Sequence, residues 1–332
     1  MKYSFLWDTT FLKWSEKINF SNILDCLKNS KIILNLESIF EENWKNYKNI
    51  KNKISLKQTE NKINLLKNIN PYLVNTSNNH SNDCWNIWIN FTKKILNKNN
   101  IRNFWSWNIQ DNHNFFINEI EKNIFLSFTT RETDLTGSLL WETEEIQWPK
   151  NIDLKYIKKV KQKYKNYKII ILMHWGYEHQ NYPHPKIREL WKKIIDNWAN
   201  LIIWSHSHVI QWYEKYKWKY IFYSLWNFLF NDIKYESNWI KYNFYQYNRS
   251  KKWIIPIFNF NKTNIELDKV LLFKIWKAEY KVENNYLKIY NLFFNLNDYL
   301  YKIFFFIYSK LNLFRMVWEL KVYQLIREKS EK

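Results

Sequence analysis

The sequence predicts an α/β protein, and three observations carry that prediction. An apolar run at Ile169–Met173 is followed by a stretch of helical periodicity and then by a second apolar run at Leu201–Ile203. Such a strand-helix-strand unit sets two parallel strands side by side. Both runs end at histidine, His174 after the first and His206 and His208 after the second. Open α/β sheets collect their ligands at the carboxyl ends of such strands. Finally, five of the seven histidines (His174, His179, His184, His206 and His208) fall between residues 169 and 232. Imidazoles gathered at strand ends point to a metal site.

Taken in order, the chain opens with a strand at Tyr3–Trp7 that ends on Asp8. Ser21 to Asn29 has helical spacing, with Ser21 as its expected N-cap. A strand at Lys31–Leu34 ends on Asn35-Leu36-Glu37, so a carboxylate again follows an apolar run directly. Lys45 to Gln58 is a polar connection without a period, and Thr59 to Lys67 reads as a helix. The strand at Tyr72–Thr76 delivers Asn78, Asn79, His80 and Asp83. An amide oxygen is a hard metal ligand and an adjacent imidazole can move a proton, so Asn79-His80 is a specific pairing. A helix runs to about Leu96, and short strands follow at Ile101–Phe104 and Ile124–Thr129. Thr130 to Lys150 is irregular, an expected insertion or flap near the site, and Leu154 to Lys165 is a basic helix. Beyond the central segment, Tyr242–Asn259 and Val270–Val282 alternate as antiparallel strands do. Asn284 to Lys329 has Phe, Tyr and Leu at helical spacing, expected as helical cover or an oligomer contact. The expected division is residues 1–260 for the α/β unit and 261–332 for a mostly helical extension.

Composition narrows the class. With 332 residues and 46% hydrophobic content the chain is long enough for a full core. The net charge is +20, but lysine outnumbers arginine by 45 to 6. A specific nucleic-acid reader favours arginine for bidentate contacts, so a solvated lysine surface is the preferred reading. Cys26 and Cys84 have no redox or metal spacing. Asp8 interrupts the opening apolar residues, so no secretory signal is expected. The apolar run Ile303–Tyr308 is too short to cross a bilayer. As written, the chain therefore reads as cytoplasmic and without a transmembrane segment.

The chain has 20 Trp and 2 Gly. At an average glycine frequency of about 7% it should hold roughly 23 glycines. Several tryptophans stand where glycine chemistry is wanted. Trp218 lies in a hairpin position, Trp198 at a helix end, and Trp204 and Trp226 at strand mouths. The inference is that most of these tryptophans are glycine codons, UGA, read under the wrong genetic code. Trp175 is the exception, because Gly176 already supplies its turn.

Each strand end thus offers a ligand set: Asp8, Glu37, Asn79-His80, His174, and His206 with His208. The mixture of carboxylate, amide and imidazole without thiolate suits a two-metal site for Mn, Fe or Zn. With these motifs the chain resembles the calcineurin-like metallophosphoesterases, and more closely their CapA branch of bacterial capsule (poly-γ-glutamate) synthesis proteins. The matching elements are Trp7-Asp8 in place of Gly-Asp, Asn35-Leu36-Glu37, Asn78-Asn79-His80 with Asp83, and His174-Trp175-Gly176 with Glu178. Further on, Trp204-Ser205-His206-Ser207-His208 and Tyr223-Ser224-Leu225-Trp226-Asn227-Phe228 match the family's last two motifs.

The resemblance implies a four-layer α/β/β/α sandwich with a helical C-terminal tail and two divalent metals at the strand ends. By analogy Asp8 and His208 would hold one ion, Asn79, His174 and His206 the other, and Glu37 would bridge them. His80, with Asp83, would serve as the catalytic acid, and Glu178 and Asn227 would contact substrate. The implied activity is metal-dependent hydrolysis of a phosphoester or an anionic cell-surface polymer, linked to capsule synthesis. A non-catalytic accessory protein of capsule or envelope polymer assembly is the alternative. Assembly partners and association with the cell envelope are implied in the same way.

Overall fold

The computed structural model describes residues 1–11, 20–41, 55–81, 83, 86–104, 115–129, 152–176, 178, 180–225, 227–230, 233–237, 240–244, 252–276, 279–282 and 297–312. In chain order the first strands are β1 (Lys2–Thr9), β2 (Ser30–Leu36), β3 (Ile39–Glu41), β4 (Lys57–Thr59), β5 (Leu73–Asn75) and β6 (Asn103–Phe104). Next come β7 (Phe115–Asn118), β8 (Asn123–Thr129), β9 (Lys168–His174), β10 (Leu201–Ser205), β11 (Gln211–Tyr216) and β12 (Lys219–Ser224). The last are β13 (Ile233–Ser237), β14 (Ile240–Phe244), β15 (Lys252–Phe260), β16 (Ile265–Trp276) and β17 (Glu279–Val282). The helices are α1 (Ser21–Leu27), α2 (Ile63–Ile69), α3 (Asn86–Lys98), α4 (Leu154–Lys163) and α5 (Pro185–Asn197), with α6 over 298–312.

Two large sheets make this a mixed α/β fold. One has the order β17-β16-β15-β1-β2-β5-β6, parallel from β1 through β6 and antiparallel from β1 through β17. The other has the order β11-β12-β10-β9-β8-β7, with β8, β9, β10 and β12 parallel. Their strands are apolar on both faces, as parallel strands covered on both sides are. Alternation then sorts the side chains. Phe5 and Trp7 of β1 share a core with Leu172 of β9 and Ile203 of β10. Leu6, between them in sequence, instead packs with Ile23, Leu66 and Ile95 of α1, α2 and α3. On the second sheet Ile171 and Ile202 pack with Ile157, Trp191, Ile194 and Tyr301, which bring in α4, α5 and α6. Each such buried aliphatic contributes about 1.5–3 kcal/mol against the entropy of ordering the chain.

Several expectations are revised. Ser21 is the first helical residue and not the cap; Phe20 holds the N-cap position, with no side-chain hydrogen bond. Trp198 closes α5 with φ −144° and not in the left-handed region, because its amide still reaches Ile194 O. The boundary at residue 260 falls inside a hairpin. Phe260 pairs with Ile265, and β16 and β17 extend the first sheet to Val282. The antiparallel alternation of 270–282 reflects that pairing. Strand β7 is paired with β8 and lies between residues that the sequence left unassigned. The flap 130–150, Cys84 and Trp226 lie outside the described residues.

Candidate metal centre

Strand register brings the ligand-bearing ends together. In the β9–β10 ladder Ser205 pairs with His174, and in the β8–β9 ladder Thr129 pairs with His174. His206 therefore leaves its strand directly beside His174. The β1–β2 ladder shifts register between Leu6 and Thr9, where Asp8 has φ 48°. Such irregularities re-aim side chains beside active sites. His206 (φ 96°) and His208 (φ 48°) also lie in the left-handed region. Three strained non-glycine residues in one polar cluster mark a place where geometry has been kept at a cost of about 1–3 kcal/mol each.

The cluster is buried and closely connected. Asp8, Glu37, His174, His206 and His208 are each at most 4% exposed. His174 Nδ1 lies 2.8 Å from Ser205 Oγ, and its Nε2 lies 2.8 Å from Asn79 Oδ1 and 3.1 Å from His206 Nδ1. The same ring stands 3.5 Å from carboxylate oxygens of both Asp8 and Glu37. Asp8 accepts hydrogen bonds from Asn35 Nδ2 at 3.1 Å and from the His206 amide at 3.2 Å. Asn35 is a hub: its Oδ1 also accepts from Asn75 Nδ2 at 3.0 Å and from Asn78 Nδ2 at 3.4 Å. His208 Nδ1 is 2.8 Å from Asn227 Oδ1. At the edge, His80 Nδ1 is 2.7 Å from Asp83 Oδ2, which also accepts from the Leu56 amide at 2.6 Å. His80 Nε2 then faces Glu37 Oε1 at 4.0 Å.

Electrostatics separate the two carboxylates. Burial pushes Asp8 up, but the hydrogen bond and charge of His174, with His208 and the His206 amide, hold it below the usual carboxylate range. Glu37 is driven well above that range by burial first, then by the charge of Asp8 and a side-chain hydrogen bond shared with it, with smaller contributions from Glu178 and Asp83. His174 is lowered by burial, which outweighs the pull of Asp8. No donor group among the described residues hydrogen-bonds either carboxylate oxygen of Glu37. Beside a second carboxylate, such a buried group stays ionised only with a positive charge at hand, and otherwise holds a proton.

That deficit is the test of fit for a cation, and the donor set meets it. Asp8, Glu37 and His174 present ligand atoms within 4.8 Å of one another, and so do Glu37, His206 and His208. Glu37 belongs to both groups, as a bridging residue would. The grouping sets His206 with His208 and His174 with Asp8, whereas the analogy sets His208 with Asp8 and joins His206 to His174.

Most residues expected from sequence thus meet at one place: Asp8, Glu37, Asn79, His80, Asp83, His174, His206 and His208. Asn227 belongs there too, but it orients His208. Glu178 is exposed, and its charge reaches Glu37. His184 does other work, since its Nδ1 caps α5 by accepting from the Lys186 amide at 3.2 Å. Trp7 and Trp204 do not fill the site. Trp7 packs in the core shared by the sheets, and Trp204 in the helix-side core, where its indole donates to Trp175 O. Neither has a positive φ. Sequence reasoning missed Asn35, Asn75 and Ser205 as organisers; the polar tail of an apolar strand run was the available signal.

Residues 10–232 match the family described as bacterial capsule synthesis protein PGA_cap. The chain belongs to this family. It is 27% identical over 219 residues to the capsule biosynthesis protein CapA of Bacillus anthracis, covering 64% of this chain and 53% of that protein. It is 27% identical over 189 residues to the PGA biosynthesis protein CapA of Bacillus subtilis (strain 168), covering 56% and 50%. The PGA_cap chain described here therefore spans about half the length of these relatives. Among solved structures it is similar to TT1561 of Thermus thermophilus, at 10% identity and a TM-score of 0.42, over 81% of this chain and 99% of that one.

Proposed function

We propose that the PGA_cap chain is a metal-dependent hydrolase acting on a phosphoester or an anionic cell-surface polymer in capsule synthesis. The observation that carries the proposal is Glu37, a buried carboxylate that no donor among the described residues satisfies, shared by two groups of potential ligands. Asp8, Glu37, His174, His206 and His208, with the Asn79 amide oxygen, would hold two divalent ions of the Mn, Fe or Zn kind. Bound there, the ions supply Lewis acidity and neutralise charge that develops on substrate oxygens. The surrounding residues set that chemistry up. Asn35 and the His206 amide aim Asp8, Ser205 fixes the His174 ring, and Asn227 fixes His208. Asp83 holds His80 through Nδ1, leaving Nε2 turned toward the centre to protonate a departing oxygen. The layered arrangement of two sheets between helices fits the four-layer metallophosphoesterase-like sandwich, with the lysine-rich surface suited to an anionic polymer.

The test is elemental analysis and phosphodiester turnover of purified protein, with His206→Ala beside it. The expected result is two bound ions and metal-dependent turnover, both lost in the variant. Stoichiometric metal retained in His206→Ala would overturn the assignment of the centre. Metal bound without any turnover would favour the accessory role in polymer assembly.

We also infer that most tryptophans are recoded glycines. Lys217 and Trp218 form the two-residue loop between Tyr216 and Lys219 with φ 47° and 65°, a turn that favours Asn-Gly or Gly-Gly. The buried Trp7 and Trp191 indole nitrogens make no hydrogen bond among the described residues. Peptide mass spectrometry of protein from its native host across residues 201–232 should read glycine masses at 204, 212, 218 and 226. Tryptophan masses there would refute it. On the chain as written, Trp218→Gly should stabilise by about 1 kcal/mol through relief of the left-handed backbone.

A further inference from the structure

We propose that the outer face of α6 is a seat for an anionic lipid bilayer surface. The helix is apolar on two opposite sides. Its inner side is fastened to the body: Tyr301 Oη donates to Pro183 O at 2.9 Å, and Tyr308 Oη accepts from the Asn181 amide at 2.7 Å. The Arg188 guanidinium lies 4.5 Å from the Tyr301 ring centre, and Arg188 and Lys192 both bind Asp298. Its outer side presents Tyr299, Leu300, Ile303, Phe306, Ile307 and Leu311, each between 45% and 72% exposed. Spacing of three and four residues gathers these six into one stripe. A continuous stripe of large apolar side chains on a solvent-facing helix marks a surface that something covers.

Charge chooses the occupant. Helix α5, beside α6, exposes Lys186 and Lys193, and α6 adds Lys310, with Lys302 paired to Glu189. The acidic residues of α4, α5 and α6 are all engaged. Glu189 pairs with Lys302 at 2.8 Å, Asp196 with Lys217 at 2.7 Å, and Asp298 with Arg188 and Lys192. The layer is therefore cationic around an apolar stripe, the composition of a helix that lies in the plane of an anionic membrane. A second copy of this face would bring like charge against like charge, which argues against self-association.

The experiment is co-sedimentation of the full chain with vesicles of phosphatidylcholine containing phosphatidylglycerol, and with phosphatidylcholine alone. The expected result is binding to the anionic vesicles that weakens with salt. Substituting Ile303→Ser, Phe306→Ser and Ile307→Ser together should reduce it at least tenfold. These side chains are exposed and remote from the metal ligands, so metal content and circular dichroism should match the parent protein. That separation lets the proposal fail while the hydrolase reading stands, and the reverse. No binding by the parent chain, or unchanged binding by the triple variant, overturns the proposal. So does light scattering that finds a dimer dissolved by the same three substitutions.

Discussion

Two buried polar clusters in this molecule invite comparison because they are made of similar groups and finished differently. On the helix side of the second sheet, Arg188 is 2% exposed and uses its whole guanidinium: Nε and Nη2 grip Glu214 at 2.9 Å each, and Nη1 reaches Asp298 at 2.9 Å. Tyr223 adds a hydrogen bond to Glu214 at 3.0 Å. At the strand ends, Asp8 and Glu37 lie as deep, but their neighbours are imidazoles and amides, and no donor among the described residues reaches Glu37. The first cluster is complete with the groups the chain supplies. The second leaves a buried carboxylate without a matching charge, which fits the proposed metal centre.

Glu37→Gln tests that contrast most strongly. Because Glu37 belongs to both ligand groups, its loss should weaken metal binding by at least about a hundredfold, beyond the 10–100-fold typical of residues that only orient ligands. Asn227→Ala, which only frees the His208 ring, should fall within that smaller range. Titration with Mn or Zn followed by calorimetry gives both numbers. In metal-free protein, Glu37→Gln should raise the melting temperature, since it removes a carboxyl group whose ionised form burial penalises. A lower melting temperature would mean that Glu37 is already satisfied and would end the comparison.

The next effect runs the other way. Arg188→Met takes the bidentate partner from Glu214, leaving it Lys192 at 3.4 Å and the Tyr223 hydroxyl, and should cost about 3 kcal/mol, the low end for breaking a buried pair. Adding Glu214→Gln should recover a large part of that loss, because the stranded charge goes with it. Urea unfolding of the single and double variants measures both. If Arg188→Met cost under about 1 kcal/mol, the pair would belong with surface ion pairs.

How far each cluster could be foreseen follows from how its residues are spaced. Asp8, Glu37, His174, His206 and His208 each end an apolar run, so the residue pattern by itself singles them out. Strand order carried them to one edge. Arg188, Glu214 and Asp298 come from α5, β11 and α6, with no run or motif to link them; only packing unites them. The parallel strands were visible for the same reason, as continuous apolar segments. Strands β16 and β17 were harder to place, because alternation reveals a strand but not its partner. Asn35 was quoted as part of a motif, but its role as a hub depends on Asn75 and Asn78 arriving from a different strand.

The smallest expected effect is a difference in sign with pH. Asp298 is held below its ordinary value of 3.8, chiefly by its hydrogen bond to Lys192, against a smaller burial penalty. A lowered carboxylate contributes stability above its unfolded pKa and loses it as pH falls through the folded value. The attachment of α6 should therefore loosen below about pH 4, by no more than about 1 kcal/mol for so exposed a pair. Glu37 is raised above 4.5, so its contribution in metal-free protein is present below that pH and is lost as pH rises. Acid thus unlatches one cluster while it relieves the other. Hydrogen exchange of α6 amides between pH 6 and 3, corrected for intrinsic rates, reads the first effect. Asp298→Asn should flatten it. An unchanged profile in that variant would assign the attachment to the Tyr301 and Tyr308 contacts, leaving charge no part in holding the helix.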